Sequence, residues 1–316
     1  MSGIRAAAAA LICCVAFPAV PGIGAAALLC VSDEGVHCFT PEHSAPIWQR
    51  LRGRTTYTPV KVSELLITGG GEGVVAFTRD GARRWQLVDF GHAFTPTVAD
   101  DELFFGTLGG SLVSAGTDGS VRWQKNYAGW MYSPAVIGSV VVSGGQSGVL
   151  HAVHRGTGDA LWELSLDQEL VHRLVVVDGR HFVATTFAGT LLKLEAQTGR
   201  VAWRRNFSVP SKSPAVAGGV LLCALFDGRV VAIAGSDGST RWETALPADV
   251  ELALRLDKVA AYSDERLSVL HAGDGEILLD REFATPIIAA HWLDDRRIAI
   301  ILRDLRNQVR LETVHL

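Results

Sequence analysis

A tryptophan returns about once every forty residues along this 316-residue chain. It stands at Trp48, Trp85, Trp123, Trp162, Trp203 and Trp242, with gaps of 37, 38, 39, 41 and 39 residues. Five of the six follow a turn whose Gly lies four positions upstream: Asp80-Gly81, Asp118-Gly119, Thr157-Gly158, Thr198-Gly199 and Asp237-Gly238. A decayed later copy keeps Asp274-Gly275 but has Leu279 in the tryptophan position, and the first copy has Ser44 in the Gly position. A period of this length means a repeat architecture. It also makes the recurring residues structural by default.

Residues 213–242 show what one repeat contains. Ser213-Pro214 opens a short apolar run, and Val220 to Phe226 and Arg229 to Ala234 follow, separated by Gly and Asp turns. The runs are short and β-branched, which reads as strand, turn, strand, turn, strand. The residues from Trp242 onward supply a fourth strand. The same opening recurs at Thr58-Pro59, Thr95-Pro96, Ser133-Pro134 and Thr285-Pro286. Proline lacks an N–H donor and suits the start of a strand. No long segment has the three-to-four spacing of a helix. Four antiparallel strands per repeat predict an all-β fold, a β-propeller of four-stranded blades.

Each tryptophan ring is expected to fill the gap between neighbouring blades and cover a turn of the next, burying about 150–250 Å². A small residue recurs in the middle of the third strand, at Cys38, Ala76, Ala152 and Ala232, where blades stack or converge. Seven tryptophan-type repeats end near Leu279. The tail keeps three strand-like runs, Ile287 to Trp292, Arg297 to Leu302 and Gln308 to Val314. The expected total is eight blades, seven being the alternative, with the last blade borrowing a strand from the other terminus to remove open edges.

These residues resemble the PQQ-type β-propeller repeat, whose pattern runs Ser-Pro-x-Val, a strand, Asp-Gly, Leu-x-Ala-Leu-Asp, Thr-Gly and Trp. The resemblance covers nearly the whole chain. By its size and lack of extra domains the chain resembles the propeller scaffold subunit of the bacterial outer-membrane β-barrel assembly machinery. That resemblance implies a non-enzymatic binding scaffold. The quinoprotein dehydrogenases share the repeat and bind a quinone, so a small quinone-dependent dehydrogenase is the alternative from another class. A sensor or carbohydrate-binding propeller is a third. One fold hosts many functions, so the site must decide.

Net charge is −4 with signs mixed throughout, and no basic stripe points to nucleic acid. Five cysteines do not make a disulfide framework. Cys30 and Cys38 flank the turn Asp33-Glu34-Gly35 and could pair across a hairpin, but two small buried thiols are the expected state. Cys223 falls in the register of Cys30. Residues 1–27, an apolar run from Ala6 to Phe17 ending in Ala25-Ala26-Ala27, resemble a secretory signal peptide, which places the propeller at 28–316. Alternatively Phe17-Pro18-Ala19-Val20 is the first strand of repeat one, and residues 5–15 supply the closing strand. The first reading implies a periplasmic or secreted protein, the second is compatible with the cytoplasm. The lipoprotein box of the family is not met, since Leu29 precedes Cys30 and Ile12 precedes Cys13.

No nucleophile–base pair, phosphate loop, dinucleotide fingerprint or haem attachment motif is visible. Neither a catalytic residue, a metal site nor a cofactor is expected. Cys13-Cys14 lies outside any intact repeat. His151 and His154 have no third ligand in view. Asp100-Asp101 and Asp294-Asp295 read as solvated turns.

One constellation points to binding. Tyr57, Phe94 and Tyr132 each stand two residues before a repeat Pro, with Phe90, His92 and Trp130 nearby. These entry segments should share one face of the disc around the channel mouth. Aromatic rims are hot-spot material. Arg54, Arg52 and Lys212 would add charge there. The competing reading has these rings filling gaps between blades. The expected partner is a protein, with the membrane reached only through it, and the expected state is a monomer.

Overall fold

The structure, a computed structural model, describes residues 15–17, 28–32, 34–171 and 173–316. Among these, all regular structure is β, in eight antiparallel sheets, each built from strands consecutive in sequence. Seven sheets have four strands, and the eighth, from Ile287–Trp292, Arg297–Arg303 and Val309–His315, has three among the described residues. These are the expected blades of a propeller. First strands of neighbouring blades lie against one another, as Val60–Val62 does with Thr97–Ala99 and Thr97–Ala99 with Ala135–Ile137. The first strand is therefore innermost and the fourth outermost.

All six repeating tryptophans stand on the outermost strand. Trp123 and Trp203 are both the third residue of theirs, Val121–Asn126 and Val201–Asn206. Leu279 holds the same place in Ile277–Glu282. Each indole reaches forward to the next blade. Nε1 donates to the carbonyl of Arg79, Thr117, Arg155, Ala196, Gly235 and Ala272 in turn, at 2.8–3.2 Å. The ring then covers the turn glycine of that blade. At Gly158, φ is +72° and an added Cβ would meet the Trp123 ring at 2.9 Å. Only a residue without a side chain permits both the left-handed backbone and the close ring. The period in the sequence is thus one contact repeated, each tryptophan on its successor's glycine.

The small third-strand residues are explained by the same contact. Cys38, Ala76, Ala152 and Ala232 pair directly with Trp48, Trp85, Trp162 and Trp242. They make room for the indole on the outer half of the blade rather than at the axis.

The cores lie between sheets. Leu150, Ala152, Phe182 and Leu192 join blades 4 and 5, and Leu29, Phe39, Ile301 and Leu311 join blades 1 and 8. The eighth blade meets the first through a longer loop. Residues 40–47 span the third and fourth strands of blade 1, and the Ser44 carbonyl accepts the Leu311 N–H at 2.7 Å.

Two expectations about the first blade need restating. Cys30 and Cys38 are not free thiols. They are cross-strand neighbours with Cα atoms 4.1 Å apart, joined by a disulfide. Direct antiparallel partners bring the two Cβ atoms within bonding reach. Cys223 remains a buried thiol, its pKa pushed up to about 12 by burial. Val15–Phe17 forms the first strand of blade 1, pairing with Leu28 to Cys30. Cleavage near residue 27 would remove that strand, so the two readings of the N-terminus make opposite demands on it. Cys13-Cys14 and residues 18–27 lie outside the described residues.

Candidate functional site

Antiparallel strands in sequential order put two sets of connections on one face of the disc. These are the entry segments into each blade and the turns between second and third strands. Entry segments are pinned to the second strand by a repeated pair of contacts. Thr56, Ala93, Met131, Leu170 and Ser211 form isolated bridges to that strand. The next residue in each, Tyr57, Phe94, Tyr132, Val171 or Lys212, donates its N–H to a second-strand carbonyl at 2.9 Å. These five positions are therefore equivalent around the channel mouth. Gly69 and Gly106 make the close approach possible, because a Cβ on either would collide with the entry-segment backbone of the following blade.

The structure brings four of the six expected binding residues together. Tyr57 and Phe94 rings lie 5.3 Å apart and Phe94 and Tyr132 rings 5.0 Å apart. His92 Nε2 is 2.8 Å from the Tyr57 hydroxyl. Burial, with the nearby Tyr132 charge, pushes the Tyr57 pKa up to about 12, so it is a neutral hydrogen-bonding phenol. Burial also holds His92 below its ordinary value. Phe94 is only 8% exposed and packs as core. Tyr57, His92 and Tyr132 are half-buried around it.

The other two stand further out. Arg54 is exposed and pairs with Glu72 at 3.2 Å. Trp130 keeps 36% of its surface exposed. Phe90 packs edge-on against Phe105. Lys212 adds no free charge to the face: it is buried, with Nζ 2.7 Å from Glu251 and 3.0 Å from Asp249. Burial raises the Glu251 pKa, while Lys212 pulls it down. The channel mouth is thus aromatic over blades 2–4 and ion-paired over blades 6–7.

Sequence reasoning missed two residues on this face. Phe187 and Phe226 occupy the tips of the second-to-third strand turns of blades 5 and 6 and are 47% and 39% exposed. Their N–H groups bond the carbonyls of Glu169 and Pro210, as Gln146 N–H bonds that of Trp130. The three tips are therefore equivalent, and Trp130 adjoins the first. Aligning the repeats on Gly148, Gly189 and Gly228 would have shown two phenylalanines where the preceding blade has Gln146.

The remaining candidates have structural partners. His151 stacks on Tyr127 with centroids 4.0 Å apart and contacts Glu163 at 3.0 Å. His154 instead accepts from the Gly156 N–H in its own turn. Among the described residues no group of three or more possible metal ligands occurs. Asp100 pairs with Arg155, Asp294 with Arg297 and Asp295 with Arg255.

The family model described as outer membrane protein assembly factor BamB matches residues 146–296. The match spans blades 5 to 7, with the outer two strands of blade 4 and the first strand of blade 8, and the Trp-on-Gly contact repeats over it. This chain is a β-propeller whose repeats are similar to the PQQ-type repeats of BamB. BamB of Yersinia pestis is 28% identical over 169 residues, covering 47% of this chain and 42% of that protein. The matched stretch of the propeller thus spans less than half the length of that relative. Crystallised BamB from Moraxella catarrhalis superposes with a TM-score of 0.68 at 18% identity, covering 90% of this chain and 93% of the other. A computationally designed protein, Ika8, reaches 0.79 at 13% identity over 96% of both chains. At these identities the structural likeness shows the fold alone.

Proposed function

We propose that this propeller is a non-enzymatic scaffold that binds a protein partner on its entry-segment face. The observation that carries this is the run of exposed aromatics on three successive blades, Trp130, Phe187 and Phe226. Apolar side chains grouped on one face of a soluble fold favour an interaction surface, and large aromatics supply most of the energy of such contacts. Tyr57, His92, Phe94 and Tyr132 underlie the adjoining arc as a packed support, with Arg54 at its edge. The match to outer membrane protein assembly factors supports a role in assembling envelope proteins, and a periplasmic location fits that role. The cross-strand disulfide supports the same location, because such bonds persist in oxidising compartments. The chain acts as a monomer and reaches a membrane only through its partner.

A photo-crosslinking residue placed at position 187 or 226 tests this in an envelope extract. One discrete protein adduct is expected from each. Position 256, an exposed leucine on the opposite face, should give none. Equal labelling from all three positions would sink the proposal. Trp130→Ala should weaken the captured complex while leaving the melting temperature nearly unchanged. A large fall in melting temperature would assign Trp130 to the core instead.

A further inference from the structure

The apolar tips are set in a negative field. Glu169 gives its carbonyl to the Phe187 N–H, and Asp227 follows Phe226 directly. The next tip round the ring, in blade 7, carries Asp264 and Glu265. Asp167 and Asp249 lie in the entry segments on either side. All six acids are exposed. Arg173 is exposed in the entry segment of blade 5, and two other bases of this sector are engaged. Lys212 is buried between Asp249 and Glu251, and Arg229 is shared by Asp227 and Glu243. Across the ring, the entry segment of blade 2 carries Arg52 and Arg54, the latter paired with Glu72 in the turn of the same blade. The face is therefore apolar at blades 4–6 and acidic around blades 5–7.

We propose that the segment seated on this face carries lysine or arginine beside its apolar side chains, its basic end lying over blades 5–7. This rests on the reading of the face given above and adds the partner's chemistry and orientation. Aromatic tips take up apolar side chains, and the acids between them select cations and repel acidic competitors. Charges of this kind act chiefly on encounter rate, specificity and register. They are also screened at high ionic strength.

Two fluorescent peptides of equal length test it on the full chain. One alternates Phe and Leu with Lys, and the other alternates the same apolar residues with Glu. Anisotropy titrations are run on the wild type, on Phe187→Ser with Phe226→Ser, and on Glu169→Lys with Asp264→Lys and Glu265→Lys. The basic peptide should bind the wild type about tenfold or more tighter than the acidic one. That preference should shrink when salt is raised from about 0.05 to about 0.5 M. It should reverse in the lysine variant, and the serine variant should weaken both peptides. Equal binding of the two peptides, weakened by the serine changes, would overturn the charge inference and leave the face intact. Basic-peptide binding that survives the serine changes would overturn the face itself, and so would failure of both peptides to bind the wild type. The salt series on the wild type keeps the question answerable if the lysine variant misfolds.

Discussion

Lys193 and Trp203 share one acceptor: both donate to the carbonyl of Gly235, at 2.8 and 3.2 Å. They are cross-strand partners in blade 5, where the other blades with a tryptophan pair it with alanine, serine or cysteine. Lys193 is nearly buried and lies 3.5 Å from Asp178. The Asp178 carboxylate is partly desolvated, but N–H groups of Arg180 and His181 and the His181 ring hold its pKa at about 2. A lysine thus fills a small-residue site by giving its charge to the carbonyl the indole already uses. Lys193→Ala should cost about 1.5–3 kcal/mol, the range for a hydrogen bond from a charged group. Gly235 should stay satisfied through Trp203. Urea unfolding measures the loss, and an unchanged midpoint would deny the lysine any such role.

Trp123→Ala is expected to cost about 3–5 kcal/mol, as for other large aromatics removed from a core. Trp123→Phe keeps a ring over Gly158 but loses the bond to the Arg155 carbonyl, and should cost about 1 kcal/mol from that bond plus the difference in packing. Gly158→Ala attacks the contact from the other side. Its left-handed backbone alone costs about 1–2 kcal/mol with a Cβ present. If Gly158→Ala proves neutral in thermal unfolding, the ring does not rest on that turn.

The disulfide closes a short loop, with Cys30 and Cys38 separated by 8 residues. Chain entropy gives such a loop about 2–3 kcal/mol of stabilisation. Cys30→Ser with Cys38→Ser should lower stability by about that much. Peptide mass spectrometry without reductant should recover residues 30 and 38 linked. Both carrying alkylation labels after unfolding would show that they are thiols.

Burial holds His92 and His291 below the ordinary histidine value of 6.5, with Arg255 adding to the effect on His291. A histidine depressed on folding favours the neutral form in the native state. Its contribution is whole above pH 6.5 and is lost as pH falls below that value. Melting temperature should therefore drop between pH 7 and pH 5, and His92→Gln should reduce the drop. An identical profile for wild type and variant would remove His92 from the account.

Much of the fold was legible because one contact is repeated. Trp123 and Gly158 recur with their neighbours at constant spacing, and periodicity carries blade length, strand number and the identity of the packing surface together. The candidate site was legible only in part. Tyr57, Phe94 and Tyr132 could be grouped by their offset from Pro, but offset says nothing of exposure, and Phe94 turned out to be core. Phe187 and Phe226 broke no periodic rule strongly enough to be noticed. Lys212 read as surface charge because its two partners, Asp249 and Glu251, come from the next blade. The cysteine pairing needed the exact register of two strands, which composition does not supply.

The forward reach of each tryptophan has a consequence for synthesis. Trp48 docks on a turn at residues 79–81, and Trp85 on one at residues 117–119. As the chain leaves the ribosome, each of these blades stays unlatched until the 30–34 residues that lead to its seat have emerged, and the nascent protein carries one indole without its seat. Domains form from the N-terminus as they are made, so the sheets should set in numerical order. Blade 7, with Leu279 in place of the indole, is the first that does not wait for the chain behind it in this way.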